Sequence, residues 1–301
     1  MVCDDGPVTN TGHYPLRNAD EREGRRLALL QKLGDPMTVR GLEHLGVGPG
    51  WRCAELGAGG GSVVEWLSAR VGPTGTVTAV DQDTSRLDRL AATLANVEVV
   101  EADLCALQLP EDSFDLVHSR SVLMHVSCPD HVLEHAVRWL APGGQVFFEE
   151  TDGAPGQQAA EAPEAFRAVF GPLLSRWGWA RTIADTLRGL GLVEVEDDVR
   201  QDPLKGGTEQ SEFWKFTLGS VADIQKQALH SPPRSAERRA HGLDPGDLLR
   251  ELPAMLALLD DPSFSVPFTA RHRVTGRRPG NRRAVSGSAQ PGKDGKEPST
   301  G

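Results

Sequence analysis

Residues 51–62, WRCAELGAGGGS, limit what this chain can fold into more than any other stretch. A short apolar segment carrying Trp51, Cys53, Ala54 and Leu56 runs into Gly57, Ala58, Gly59, Gly60 and Gly61, and an amphipathic run with Val63, Val64, Leu67 and Val71 follows at once. The order predicted is strand, glycine turn, helix. Glycine is required where a turn must reach backbone angles that a side chain forbids and where a ligand approaches the main chain closely. Ser62 and Glu65 read as a capping box, so the helix is expected to start just after Gly61. Its first N–H groups and positive dipole end would then face whatever lies over the loop.

The spacing narrows the choice of ligand. A dinucleotide fingerprint needs glycine where Ser62 stands, and a phosphate loop needs Gly-Lys-Ser/Thr, which is absent. Downstream, Thr76–Val80 reads as a β-branched strand ending in Asp81, which lies 20 residues past Gly61. An acidic residue at that place is positioned to accept hydrogen bonds from two ribose hydroxyls. A third strand, Val97–Glu101, runs into Ala102, Asp103 and Leu104; a fourth, Phe114–Ser119, follows a Pro110-Glu111-Asp112 turn; a fifth, Gln145–Glu149, follows Ala141-Pro142-Gly143-Gly144. Five strands alternating with helices imply a parallel sheet with right-handed crossovers, whose ligands bind outside the carboxyl ends of the strands. Glu55, Gly57, Asp81, Asp103, Ser119 and Glu149 all fall at such ends.

Glu55-Leu56-Gly57 with Gly59 and Gly61 resembles the first motif of the class I S-adenosylmethionine-dependent methyltransferases. Asp81, the Asp103-Leu104 pair, the FDLVHS segment ending at Ser119 and the L-x-P-G-G turn resemble the later motifs of that family. The resemblance spans roughly Tyr14 to Asp152, about half the chain. It implies an α/β, Rossmann-like, doubly wound, seven-stranded, mostly parallel sheet with an N-terminal helical lid and helical insertions near the C-terminus. It also implies S-adenosyl-L-methionine as cofactor, held by Tyr14, Glu55, Gly57, Gly59, Gly61, Asp81, Gln82, Asp103, Leu104 and Ser119. In that reading Asp103 accepts from the adenine amino group, the Leu104 N–H meets a ring nitrogen, and Tyr14 closes on the methionine end or anchors the lid.

The activity implied is methyl transfer to oxygen or nitrogen of a small metabolite, a specialised natural product by resemblance alone. Base catalysis is required only where the acceptor must lose a proton. His125, six residues past the fourth strand, is the catalytic candidate, with its bland alternative a histidine that fixes its own loop; His118, Glu149, Glu150, Asp152 and His13 are further candidates. Arg120 could orient an acceptor carboxylate or brace an acidic neighbour. The alternatives are a non-catalytic regulator that keeps the cofactor fold, a protein methyltransferase and, more weakly, an oxidoreductase. Ser119-Arg120-Ser121-Val122 stands where an amino-methylating N-P-P-Y tetrad would.

Charge bears on the partner. The net charge is −10, and the 31 residues from Arg271 hold eight Arg or Lys against two acidic residues, so the preceding 270 carry −16. Such a body suits a cationic ligand and disfavours nucleic acid. The partner expected is a small acceptor, without nucleic acid or membrane, on a monomer or homodimer. No apolar leader or stretch of 18 apolar residues is present, and Cys3, Cys53, Cys105 and Cys128 form no C-x-x-C pair. Reduced thiols and a cytoplasmic protein are therefore expected.

Four segments are expected: lid helices over 1–46, a cofactor-binding half over 47–152, the second half of the sheet with helical acceptor-pocket insertions over 153–275, and a disordered basic tail over 276–301. The lid reads as two helices, Asp20–Leu33 and a second begun by Asp35-Pro36. One decoy stands out. His131, Glu134 and His135 spell an inverted zinc-peptidase motif, but Val132, Leu133, Ala136, Val137 and Leu140 form the core stripe, so all three are expected to face water and no metal is expected.

Overall fold

The structure, a computed structural model, describes residues 21–175, 177–230 and 245–281. Seven strands form one sheet: β1 Arg52–Leu56, β2 Thr76–Asp81, β3 Val97–Glu101, β4 Phe114–Arg120, β5 Leu140–Asp152, β6 Val193–Lys205 and β7 Ser265–Arg277. Their order is β3-β2-β1-β4-β5-β7-β6. The first five are mutually parallel and β7 runs antiparallel between β5 and β6. The order reverses at β1 and β4, the crevice where an open α/β sheet binds its ligands.

The helices are α1 Glu21–His44, α2 Ser62–Val71, α3 Asp88–Thr93, α4 Pro129–Trp139, α5 Ala154–Gln157, α6 Glu164–Leu174, α7 Ile183–Gly189, α8 Glu209–His230 and α9 Pro245–Asp260. Strand residues alternate between two apolar layers. Cys53, Val77, Leu116 and Phe147 pack under α1 and α2, whereas Ala54, Val117, Val146 and Phe148 pack under α4 and α7. A third cluster joins α6, α8, α9 and the start of β7 through Phe166, Phe170, Leu218, Met255 and Phe268. It is separate from the main core and forms the cap.

Several expectations are corrected. The N-terminal helix is a single element through Pro36, not two. Proline lacks the N–H that would bond one turn back and ordinarily interrupts a helix; here neighbouring groups hold the second half down, as Arg273 donates to the Met37 carbonyl at 2.9 Å and Arg120 to Thr38 at 2.8 Å. Likewise α9 continues through Pro253. There is no capping box: Gly61 caps α2 in a left-handed conformation, and Ser62 Oγ donates to Asp35 across to α1 at 3.1 Å. The Pro-Gly-Gly turn lies inside β5 as a register shift rather than before it. Gly276 and Arg277, expected in the tail, close β7; residues 282–301 lie outside the described residues.

Candidate cofactor and acceptor site

The glycine turn is built as its spacing requires. Gly57, Gly59 and Gly61 have φ of 70°, 53° and 82°. At Gly57 the need is twofold, because an added Cβ would also lie 2.2 Å from Val122 Cγ2. The first turn is pinned by the Gly57 and Ala58 N–H groups donating to the Val80 carbonyl at 2.8 and 2.9 Å. Above Gly59 the nearest atom to an added Cβ is Leu27 of α1 at 3.8 Å, so the main chain there is open to close approach.

Asp81 ends β2 beside this turn. Its Oδ2 accepts from the Gly59 N–H at 2.8 Å and its Oδ1 from the Asp83 N–H at 3.1 Å. Burial pushes its carboxyl above the usual range, against the pull of those N–H donors. The Gln82 N–H also bonds this carboxylate; of about four acceptor positions, one then remains for a ribose hydroxyl. Gln82 next to it is exposed. Ala102 donates to the Asp81 carbonyl at 3.0 Å and joins the β2 end to the β3 end, where Asp103 is exposed and Leu104 is buried. Asp103 Oδ1 accepts from the Cys105 N–H at 2.9 Å. Ser119, at the end of β4, is fully buried with no partner for its Oγ. The structure thus brings Gly57, Gly59, Gly61, Asp81, Asp103, Leu104 and Ser119 to the same end of the sheet. Tyr14 and His13 lie outside the described residues.

Glu55 is placed differently from a ligand-facing acid. It is buried under α1, with Oε2 2.6 Å from His118 Nδ1, and the same imidazole has Nε2 3.4 Å from Glu149 Oε2. Register explains the contact, because Glu55 and His118 are directly paired across β1 and β4. Burial would push the His118 pKa down, but the two carboxylates outweigh it and push it up to about 9. Burial likewise opposes ionisation of Glu149, whose bonds to His118 and Thr38 nevertheless pull it down to about 2. A charged imidazole cannot take a proton, and a carboxylate held this low is a poor base. Both side chains are buried and bonded to one another, and through them Glu55 is tied to the layer that α1 covers. Glu149 also accepts from Thr38 of α1 and from Arg273 at 3.1 Å. Arg120 bonds Asp35 and Thr38, both at 2.8 Å, and so braces α1.

On the opposite sheet face Glu150 is buried, with Oε1 accepting from the Val122 and Leu123 N–H groups at 3.0 and 2.9 Å and Oε2 without a partner. Burial raises its pKa to about 7. It holds the tight turn Leu123–His125, on which His125 is exposed and donates its backbone N–H to the Val122 carbonyl at 2.8 Å. Ser121, just before that turn, has φ of 56°, a left-handed angle uncommon for a residue with a side chain. Asp152 is tied down by the Ala154 N–H at 2.9 Å and by Arg181 at 2.7 Å.

Two features escaped the sequence. Cys105 and Cys128 are joined by a disulfide, where reduced thiols were expected; the pair lies 23 residues apart in two loops that only the fold brings together. Cys53 is buried and takes no part in the bridge. His135 is buried rather than facing water, its Nδ1 3.4 Å from the Leu107 carbonyl and its ring tilted against that of His131 with centroids 4.0 Å apart. Among the described residues no group of His, Cys, Asp and Glu is arranged to hold a metal ion. No helix there is long and apolar enough to cross a membrane.

Doubly wound topology, a glycine cradle at the switch point and an acidic residue ending β2 define a nucleoside-binding α/β protein. Residues 54–148 match a family described as a methyltransferase domain. The ubiquinone/menaquinone biosynthesis C-methyltransferase UbiE of Pseudomonas savastanoi pv. phaseolicola is 32% identical over 192 residues, covering 60% of this chain and 74% of that protein. Its counterpart from Pseudomonas putida is 31% identical over the same length. The crystal structure of the cyclase SpnF superimposes with a TM-score of 0.51 at 18% identity, covering 83% of this chain and 84% of that one, which shows the fold alone. The chain belongs to the class I S-adenosylmethionine-dependent methyltransferases. It is an enzyme, and its methyl donor is S-adenosyl-L-methionine. The residues present fit that group, since the turn leaves its main chain open over Gly59 and Asp81 keeps an acceptor position beside it.

Proposed function

We propose that this enzyme methylates a small acceptor beneath the roof formed by α1, with the methyl arriving at oxygen or nitrogen of a specialised natural product. The observation that carries the small-acceptor reading is the seating of α1 on the carboxyl ends of the strands. Leu27 and Gln31 lie against the glycine turn, Asp35 bonds Ser62, and Thr38 bonds Glu149. The far side of α1 is fastened to α8 by Arg22 with Asp223 and by Lys32 with Glu209. A roof this close favours a compact acceptor over a folded protein.

When bound, the donor supplies a methyl carbon already activated by its positive sulfur. This chain's part is to grip the nucleoside and hold an acceptor in line, about 3 Å from that carbon. Asp81 would take a ribose hydroxyl, Asp103 and the Leu104 N–H the adenine edge, and Ser119 Oγ a polar group of the methionine end. Glu55 would act indirectly, by holding His118 under the turn. His125, on the turn that Glu150 fixes, would remove a proton from a phenol, alcohol or protonated amine.

The relatives' names support a second reading, transfer to carbon, because they are C-methyltransferases. Incubation with methyl-labelled cofactor and a panel of phenols, hydroquinones, amines and acids, followed by assignment of the labelled carbon by NMR, separates the two. An O- or N-methyl product supports the first reading and a ring-carbon methyl the second. Label entering added protein substrates and no small molecule, or cofactor binding with no transfer at all, would contradict both.

A further inference from the structure

The Cys105–Cys128 bridge is placed where a covalent bond can act on the cofactor site. Cys105 directly follows Asp103 and Leu104, and its backbone N–H fixes the Asp103 carboxylate at 2.9 Å. Cys128 caps the start of α4 without a side-chain hydrogen bond of its own, three residues past His125. One bond therefore ties the loop after β3 to the loop after β4, so that the adenine shelf and the acceptor-side turn share a single cross-link. Cys105 is half-buried, with Sγ 3.5 Å from the exposed Ser127 hydroxyl, so a reductant in solution can reach it. Leu104 and Leu107 pack into the main core on either side of Cys105 and would keep the loop folded after the bond is cut. Cutting it would then loosen the shelf without unfolding the sheet.

We infer that Cys105 and Cys128 form a thiol–disulfide exchange site, acted on by a dithiol, whose oxidised state holds the adenine end of the cofactor site in its tight-binding form. The inference rests on placing adenine over Asp103 and Leu104. In the exchange, a thiolate of the dithiol attacks one cysteine sulfur and releases the other as a thiolate. The second thiol of the dithiol then displaces the first cysteine. The protein gains two hydrogens as two thiols, and the dithiol leaves as its own disulfide.

The test uses the full chain, with S-adenosylhomocysteine as the calorimetric probe, before and after treatment with dithiothreitol, and with thiols counted by mass spectrometry of alkylated protein. The oxidised form is expected to show two alkylatable thiols under denaturing conditions and to bind about 5- to 10-fold more tightly than the reduced form, which shows four. Cys105→Ser and Cys128→Ser should each bind like the reduced form and no longer respond to dithiol. A Cys3→Ser/Cys53→Ala variant, which keeps only the pair, should respond as the parent does. Equal affinity in both redox states, four thiols without reductant, or a response abolished by the Cys3→Ser/Cys53→Ala change would overturn the inference. A chain that binds no S-adenosylhomocysteine in either state would contradict the cofactor placement instead. Protease cleavage between residues 104 and 128 then decides: it should rise on reduction, and an unchanged rate refutes the exchange site.

Discussion

Glu55, His118 and Glu149 put three ionisable groups inside the layer that α1 covers, and their energetics follow from removing one of them. Taking away one partner of a buried ion pair leaves a charge uncompensated and costs roughly 3–5 kcal/mol. His118→Leu is therefore expected to lower stability by about that amount in urea unfolding, more than the loss of packing alone. The signs of the pKa shifts set a pH window. Glu149 is held below its ordinary value of 4.5, so its contribution is complete above 4.5 and lost as pH falls toward about 2. His118 is held above 6.5, so its contribution is complete below 6.5 and lost as pH rises through about 9. Unfolding midpoints should therefore decline from pH 6.5 to 9, and His118→Gln should flatten that decline.

Glu150 behaves in the opposite sense. An acid raised from 4.5 to about 7 costs stability increasingly as pH rises through that interval. Glu150→Gln can still accept from the Val122 and Leu123 N–H groups. It should match the parent near pH 4 and exceed it above pH 8 by up to about 3 kcal/mol. At this scale Asp81 and the alternating glycines were legible because backbone angle and strand-end position dictate them. Glu55 was read only as a cofactor residue, since its partner His118 lies 63 residues away and register, not spacing, joins them.

At the scale of elements, α1 ties the cofactor turn to the far half of the sheet. Gly34 and Gly41, two turns apart, lie on the face that meets the sheet: an added Cβ would fall 2.8 Å from Arg120 Nη1 at the first and 2.6 Å from Phe147 at the second. Helical glycine costs about 1 kcal/mol relative to alanine, so two in one helix carry a price in propensity that close approach offsets. Gly41→Leu should lift the C-terminal half of α1 from Phe147, seen as faster proteolysis within residues 21–44 and weaker S-adenosylhomocysteine binding, while Gly189→Ala, where nothing lies within 4 Å, should leave both unchanged. The strands and crossover helices of residues 52–152 were readable from periodicity and turn residues. The continuity of α1 through Pro36 was not, because the bonds from Arg120 and Arg273 that hold it come from β4 and β7. For the same reason the disulfide was invisible, as loop proximity is a property of the whole sheet.

The molecule as a whole is a doubly wound sheet whose first five strands carry the glycine turn and the strand-end acids and whose last two carry the cap of α6, α8 and α9. Family membership fixes the donor; the cap was the least legible part of the sequence, because its apolar contacts join helices far apart in the chain. The measurement closest to the central claim is calorimetric titration with S-adenosylhomocysteine of the parent and of Asp81→Ala. The parent should bind one equivalent, and Asp81→Ala, losing its ribose hydrogen bonding to a charged group, should bind at least about 10-fold more weakly while still unfolding in one cooperative transition. No heat with the parent, or equal dissociation constants for the two proteins, would contradict the account.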